Sequence, residues 1–102
     1  MSEKRRIYVI DPIKVNNVEV TEVVIDPHYE KKHSDTINDR LILKLVKLLN
    51  GRQEAPQAEE NRYSYFATLI ELSGKNYRLI WLQEEDTIYV GVINAYRDKR
   101  KK

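Results

Sequence analysis

Apolar and polar positions alternate toward both ends of this chain and fall into a helical period between them. Residues 7–10 (Ile-Tyr-Val-Ile) and 18–25 (Val-Glu-Val-Thr-Glu-Val-Val-Ile) are rich in β-branched side chains, which suit a pleated, half-buried surface. Asn16-Asn17 lies between them, flanked by apolar residues. Asparagine tolerates positive φ, so the pattern predicts a tight hairpin turn there. Pro12 restricts the backbone of Asp11 and predicts a bend or an end in the first strand. Asp26-Pro27 stops the second strand. Proline suits the first helical turn and aspartate can cap it, which predicts one or two turns over 27–33.

A longer helix is expected near 36–50. Thr36-Ile37-Asn38-Asp39 reads as a cap followed by an acid three residues on. Ile37, Leu41, Ile42, Leu45, Val46, Leu48 and Leu49 then share one arc of a 3.6-residue wheel, with Arg40, Lys44 and Lys47 opposite. Leu43 falls on the polar side. Asn50-Gly51 supplies the stop, because glycine takes a left-handed cap without strain. Residues 52–62 have no periodicity and read as a surface connection.

Three strands are expected over 63–72, 76–83 and 88–96. A three-residue loop, Ser73-Gly74-Lys75, would set Leu69 against Leu79 and Ala67 against Trp81. The acidic turn over 84–87 would set Trp81 against Val90. One face then carries Tyr65, Ala67, Leu69, Leu79, Trp81, Val90 and Val92 and should meet the helix. Arg78, Tyr89 and Arg97 lie together on the other face. The expected fold class is therefore α+β: one dominant helix packed on an antiparallel sheet, with an N-terminal hairpin and three C-terminal meander strands. It should form a single domain over residues 1–102, with 96–102 a flexible basic tail.

Composition narrows the setting. A chain of 102 residues is one domain's worth with a thin, two-layer core. It has no cysteine, which excludes disulfides and thiolate metal sites. No apolar run reaches the roughly 18 residues of a membrane span. The N-terminus lacks the apolar stretch of about 7–15 residues of a secretory signal, so a cytoplasmic location without membrane partners is expected. Net charge is only +2, but residues 97–102 hold five bases and one acid. Such a tail suits a polyanion, since each cation can release condensed counterions from phosphate, and it also suits a merely solvated end.

The run Leu72-Ser73-Gly74-Lys75-Asn76-Tyr77-Arg78-Leu79-Ile80-Trp81, an acidic turn, and Ile88-Tyr89-Val90-Gly91-Val92-Ile93-Asn94-Ala95-Tyr96-Arg97 resembles the C-terminal part of the RelE/ParE toxin superfamily. Tyr77-Arg78 and Tyr96-Arg97 fall where that family carries Tyr-Arg and a strand-ending arginine. The resemblance spans about residues 63–97. It implies a small toxin-like domain that cuts RNA, including ribosome-bound RNA, without a metal, and a cognate antitoxin protein as partner. The chain departs from the RNA-cleaving members at Leu69 and Glu71, where they carry lysines, and it has no tyrosine after the final arginine. Related metal-free ribonuclease toxins of this broad architecture use histidines, and His28 and His33 would stand in here.

RNA cleavage by the 2′-hydroxyl needs a base, an acid for the leaving oxygen and cations for the phosphorane. Histidine titrates near neutral pH, and arginine contacts phosphate through two parallel hydrogen bonds. The candidate catalytic set is His28, His33, Arg78 and Arg97. The candidate substrate-binding set is Lys32, Tyr89, Tyr96, Lys99 and Arg100. No metal site or cofactor is expected, because the histidine spacing of five is not a standard helical ligand pair. Tyr63, Tyr65 and Phe66 can be read as base-stacking groups or as core. Two other classes fit the same residues: a non-catalytic module that binds nucleic acid or protein, and a small homodimeric cytosolic protein.

Overall fold

The computed structural model describes residues 5–99. Strand β1 (Arg6–Val15) turns through Asn16-Asn17 into β2 (Val18–Ile25). Both asparagines have positive φ, 52° and 66°, and Val15 faces Val18. This is the expected two-residue hairpin. The register slips between Val9 and Ile13, around Asp11-Pro12, so the proline bulges β1 without ending it. A 3₁₀ turn (Pro27–Tyr29) and α1 (Glu30–His33) follow. Asp26 caps them by accepting the His28 N–H at 2.9 Å.

Helix α2 is short, Asp39–Lys47. Its cap is Asn38, whose side chain accepts the Leu41 N–H at 2.8 Å, rather than Thr36. Residues 34–38 lead in without joining the helix. Ile37, Ile42, Leu45, Val46 and Leu49 are buried, while Leu48 is exposed. The expectation of one dominant helix is therefore wrong. The molecule is mostly sheet, and its helices are short.

The remaining strands are β3 (Ala58–Glu60), β4 (Tyr63–Leu72), β5 (Lys75–Glu84) and β6 (Tyr89–Arg97). All six form one sheet in the order β1-β2-β6-β5-β4-β3. It is mixed rather than antiparallel, because β6 runs parallel to β2. The chain leaves β2 through the helices, builds the far half of the sheet, and returns beside β2. The stretch read as a plain connection supplies β3 and a strap. Arg52 O accepts the Asn16 N–H at 2.9 Å, and Asn16 Oδ1 accepts the Glu54 N–H at 2.6 Å.

Two details move the C-terminal register. Ser73 and Gly74 both have positive φ, 55° and 78°, and form a two-residue turn with Leu72 opposite Lys75. A loop one residue shorter than expected turns β4 over. Phe66, Thr68 and Ile70 therefore face the core with Tyr77, Leu79 and Trp81. Tyr65, Ala67 and Leu69 lie on the opposite face. In addition, β6 bulges at Ile93: Trp81 faces Val92, but Ile80 faces Asn94.

Phe66 stacks on Trp81 with ring centroids 4.1 Å apart. The indole N–H donates to the Thr68 hydroxyl at 2.9 Å, which donates to Glu54 Oε1 at 2.6 Å. This relay explains a threonine in the core. Thr68→Val removes it and leaves the buried indole N–H without an acceptor. Chemical denaturation should report a loss of about 1–2 kcal/mol.

Candidate functional site

Strand β6 outruns its parallel neighbour. The last residue of β2, Ile25, pairs with Val92, and β6 continues to Arg97. The Asp26 N–H still donates to Val92 O at 3.0 Å. The 3₁₀ turn then packs against β6 where β2 has ended. Pro27 and Tyr29 are its buried residues.

This placement brings His33 onto Tyr96, with ring centroids 5.5 Å apart and planes tilted by 33°. Tyr96 lies directly across from Arg78. The Arg78 guanidinium meets Asp98 at 3.1 Å and is largely enclosed. His33, Tyr96 and Arg78 thus gather at one end of β5 and β6. Lys32 is exposed beside His33, and His28 is exposed one turn earlier.

The other expected residues are not brought together with these. Arg97 was expected on the same face as Arg78. The bulge at Ile93 places it opposite Tyr77, which is buried toward the helices, so the two arginines leave the sheet on opposite faces. Arg97 Nε is enclosed, with no hydrogen-bond partner among the described residues. Tyr89 begins β6, at the far end from Tyr96. Its hydroxyl donates to Glu84 Oε1 at 2.8 Å, and burial together with that carboxylate pushes its pKa up to about 12. Lys99 is exposed beyond β6, and Arg100 lies outside the described residues.

Two features were missed from sequence. The first is a hollow of about 450 Å³ on the helix-free face, lined by Arg5, Ile7, Tyr63, Tyr65, Leu82 and Tyr89 among others. Gly91 forms part of its floor, where a Cβ would approach Leu82 Cδ1 to 3.0 Å. The alternation of β4 carries the signal, but the two-residue turn at Ser73-Gly74 puts Tyr65 on the face opposite to the one a three-residue loop predicts.

The second is a polar knot at the start of α2. The Asp39 carboxylate accepts hydrogen bonds from the Arg6 guanidinium, from the Tyr8 hydroxyl at 2.6 Å and from the Tyr29 hydroxyl at 2.7 Å. Arg6 also reaches Glu30 at 2.9 Å. Burial opposes the Asp39 charge, but these donors outweigh it and hold the carboxyl at about 2. Burial and Asp39 both raise the Tyr29 pKa. Every member is satisfied, so the knot ties β1, α1 and α2 together. No local motif announces it, since its members are brought together from 6 to 39 only by folding.

No family model, curated protein or solved structure matches the chain. Among the described residues, no group of three or more His, Asp or Glu side chains could hold a metal ion. No helix among them is long and apolar enough to cross a membrane.

Proposed function

We propose that this domain is a metal-independent endoribonuclease of the RelE/ParE-like kind, acting on RNA in the cytoplasm. The observation that carries this reading is the contact of His33 with Tyr96, directly across the sheet from Arg78. The three differ in chemistry and converge on one end of two strands, as groups that share a reacting phosphate must. His33 takes the 2′-hydroxyl proton, and the 2′-oxygen attacks the adjacent phosphorus. The 5′-oxygen leaves with a proton from an acid, and His28 is the candidate for that role. Arg78 carries donors beyond the one bound to Asp98 and can hold the phosphorane oxygens. Tyr96 holds the imidazole in place, and Lys32 is positioned to meet the flanking phosphate.

Purified protein should cleave free single-stranded RNA in excess chelator at the rate seen without it. The products should end in 2′,3′-cyclic phosphate and 5′-hydroxyl. A rate abolished by chelator and restored by a divalent cation would overturn this mechanism. A non-catalytic binding module is the second reading, favoured by the hollow that Tyr63, Tyr65 and Tyr89 line on the helix-free face. Tight RNA binding without any cleavage would decide for it.

A further inference from the structure

The outer edge of β1 and the neighbouring flank of α2 enclose a groove of about 600 Å³ on the helix-bearing side of the sheet. We propose that it takes an extended, acidic polypeptide segment from a partner protein, added to the sheet as a further strand. The site lies across the sheet from Arg78 and Tyr96 and does not depend on the ribonuclease reading.

Three observations carry the proposal. First, β1 is the last strand on its side of the sheet. Its far end is covered, because Lys14 O accepts the Gly51 N–H at 2.7 Å and Lys14 N–H donates to Asn50 at 2.8 Å. Among the described residues no segment pairs with the outer edge before that point. An open edge presents alternating donors and acceptors to an incoming chain. Proteins blunt such edges with prolines, charges and bulges, and here the bulge at Asp11-Pro12 guards only the middle of β1. Residues 6–9 stay regularly paired to β2 and open outward.

Second, the groove is apolar where a strand's side chains would enter. Ile10, Ile13 and Leu43 line it, while Val9, 81% exposed, stands on the same open edge but on the opposite face, where the other side chains of an added strand would lie. This also accounts for Leu43, the apolar residue on the otherwise polar side of the helix.

Third, Arg40, Lys44 and Lys47 line the helical wall, spaced along one flank of α2, and all three are exposed. None has a carboxylate partner among the described residues. The carboxylates nearby are Asp39, which Arg6 engages, and Asp11 at the bulge. The wall is therefore net positive and complements acidic side chains.

The same features choose among occupants. A second copy pairing through the same edge would set two α2 helices side by side on one face of a continuous sheet. Their basic rows would then repel. Nucleic acid would use the cations but neither the edge nor the apolar floor.

The probe is a capped peptide of alternating valine and glutamate, with a valine–lysine peptide as control. Binding is read by amide hydrogen exchange of the intact chain. The acidic peptide should slow exchange within residues 6–10, and the lysine peptide should not. Charge reversal at exposed positions (Arg40→Glu, Lys44→Glu and Lys47→Glu together) should weaken binding about tenfold or more, since three modest exposed attractions become repulsions. The melting temperature of the unliganded variant, measured alongside, checks that it remains folded. Two outcomes would overturn the proposal. One is protection absent from β1 or indifferent to the reversal. The other is an RNA oligonucleotide that binds this wall while the acidic peptide does not.

Discussion

His33→Ala should lower the rate of RNA cleavage by at least about a hundredfold, the usual worth of a positioned general acid or base. The loss should fall on kcat more than on KM, because the imidazole acts on a proton in flight. The fold should survive. His33 ends a four-residue helix with no buried residue of its own, and the anchoring of that segment falls to Pro27 and Tyr29. Arg78→Ala should cost a comparable factor through the phosphorane. Arg97→Ala should cost far less in chemistry, since the bulge turns Arg97 to the opposite face. That ordering is the sharp part of the prediction. The family resemblance alone would rank both arginines together, whereas the register separates them. A larger rate loss at Arg97 than at Arg78 would place the reacting phosphate on the helix side of the sheet. Activity that survives both His33→Ala and His28→Ala would remove histidine from the mechanism.

Local chemistry was legible in the sequence, and spacing beyond a turn was less so. Asn16-Asn17 marked its hairpin because two residues that tolerate positive φ stood between apolar runs. Asp26-Pro27 marked the 3₁₀ turn because cap and fixed φ are properties of neighbours. Ser73-Gly74 carried the same signal, but a third polar residue, Lys75, made the loop look one residue longer. In a strand of period two that single residue exchanged the faces of Phe66 and Tyr65. The helix was overextended for a related reason. Ile37 and Leu49 are buried like helical residues but sit in the turns on either side of α2. Burial periodicity alone does not distinguish a helix from its flanks. The parallel pairing of β2 with β6 depends on where the chain returns after more than sixty residues, and no local pattern encodes it. The candidate site shares that limit. Its histidine and arginine were visible as types, but their convergence rests on β6 outrunning β2.

Replacing Asp39 should be the most damaging polar change for stability. Asp39→Ala removes the acceptor of the Tyr8, Tyr29 and Arg6 bonds at once. Tyr29 is only 2% exposed, so its hydroxyl cannot turn to water in exchange. An unsatisfied buried hydroxyl and a broken charge-assisted pair together should cost about 2–4 kcal/mol. Asp39→Asn separates charge from shape, since it keeps one acceptor oxygen. The Asp39 carboxyl lies at about 2 in the folded chain against 3.8 ordinarily. A depressed folded pKa stabilises the native state fully above the unfolded value, and that contribution is lost as pH falls through the folded one. The stability gap between the native chain and Asp39→Asn should therefore be flat above about pH 5 and include about 2 kcal/mol from this shift. It should shrink steadily between about pH 4 and pH 2. Urea titrations of both proteins across that range measure the gap directly. A gap that stays constant down to pH 2 would mean that the Asp39 charge contributes nothing, and that the carboxylate only fills space between β1 and α2.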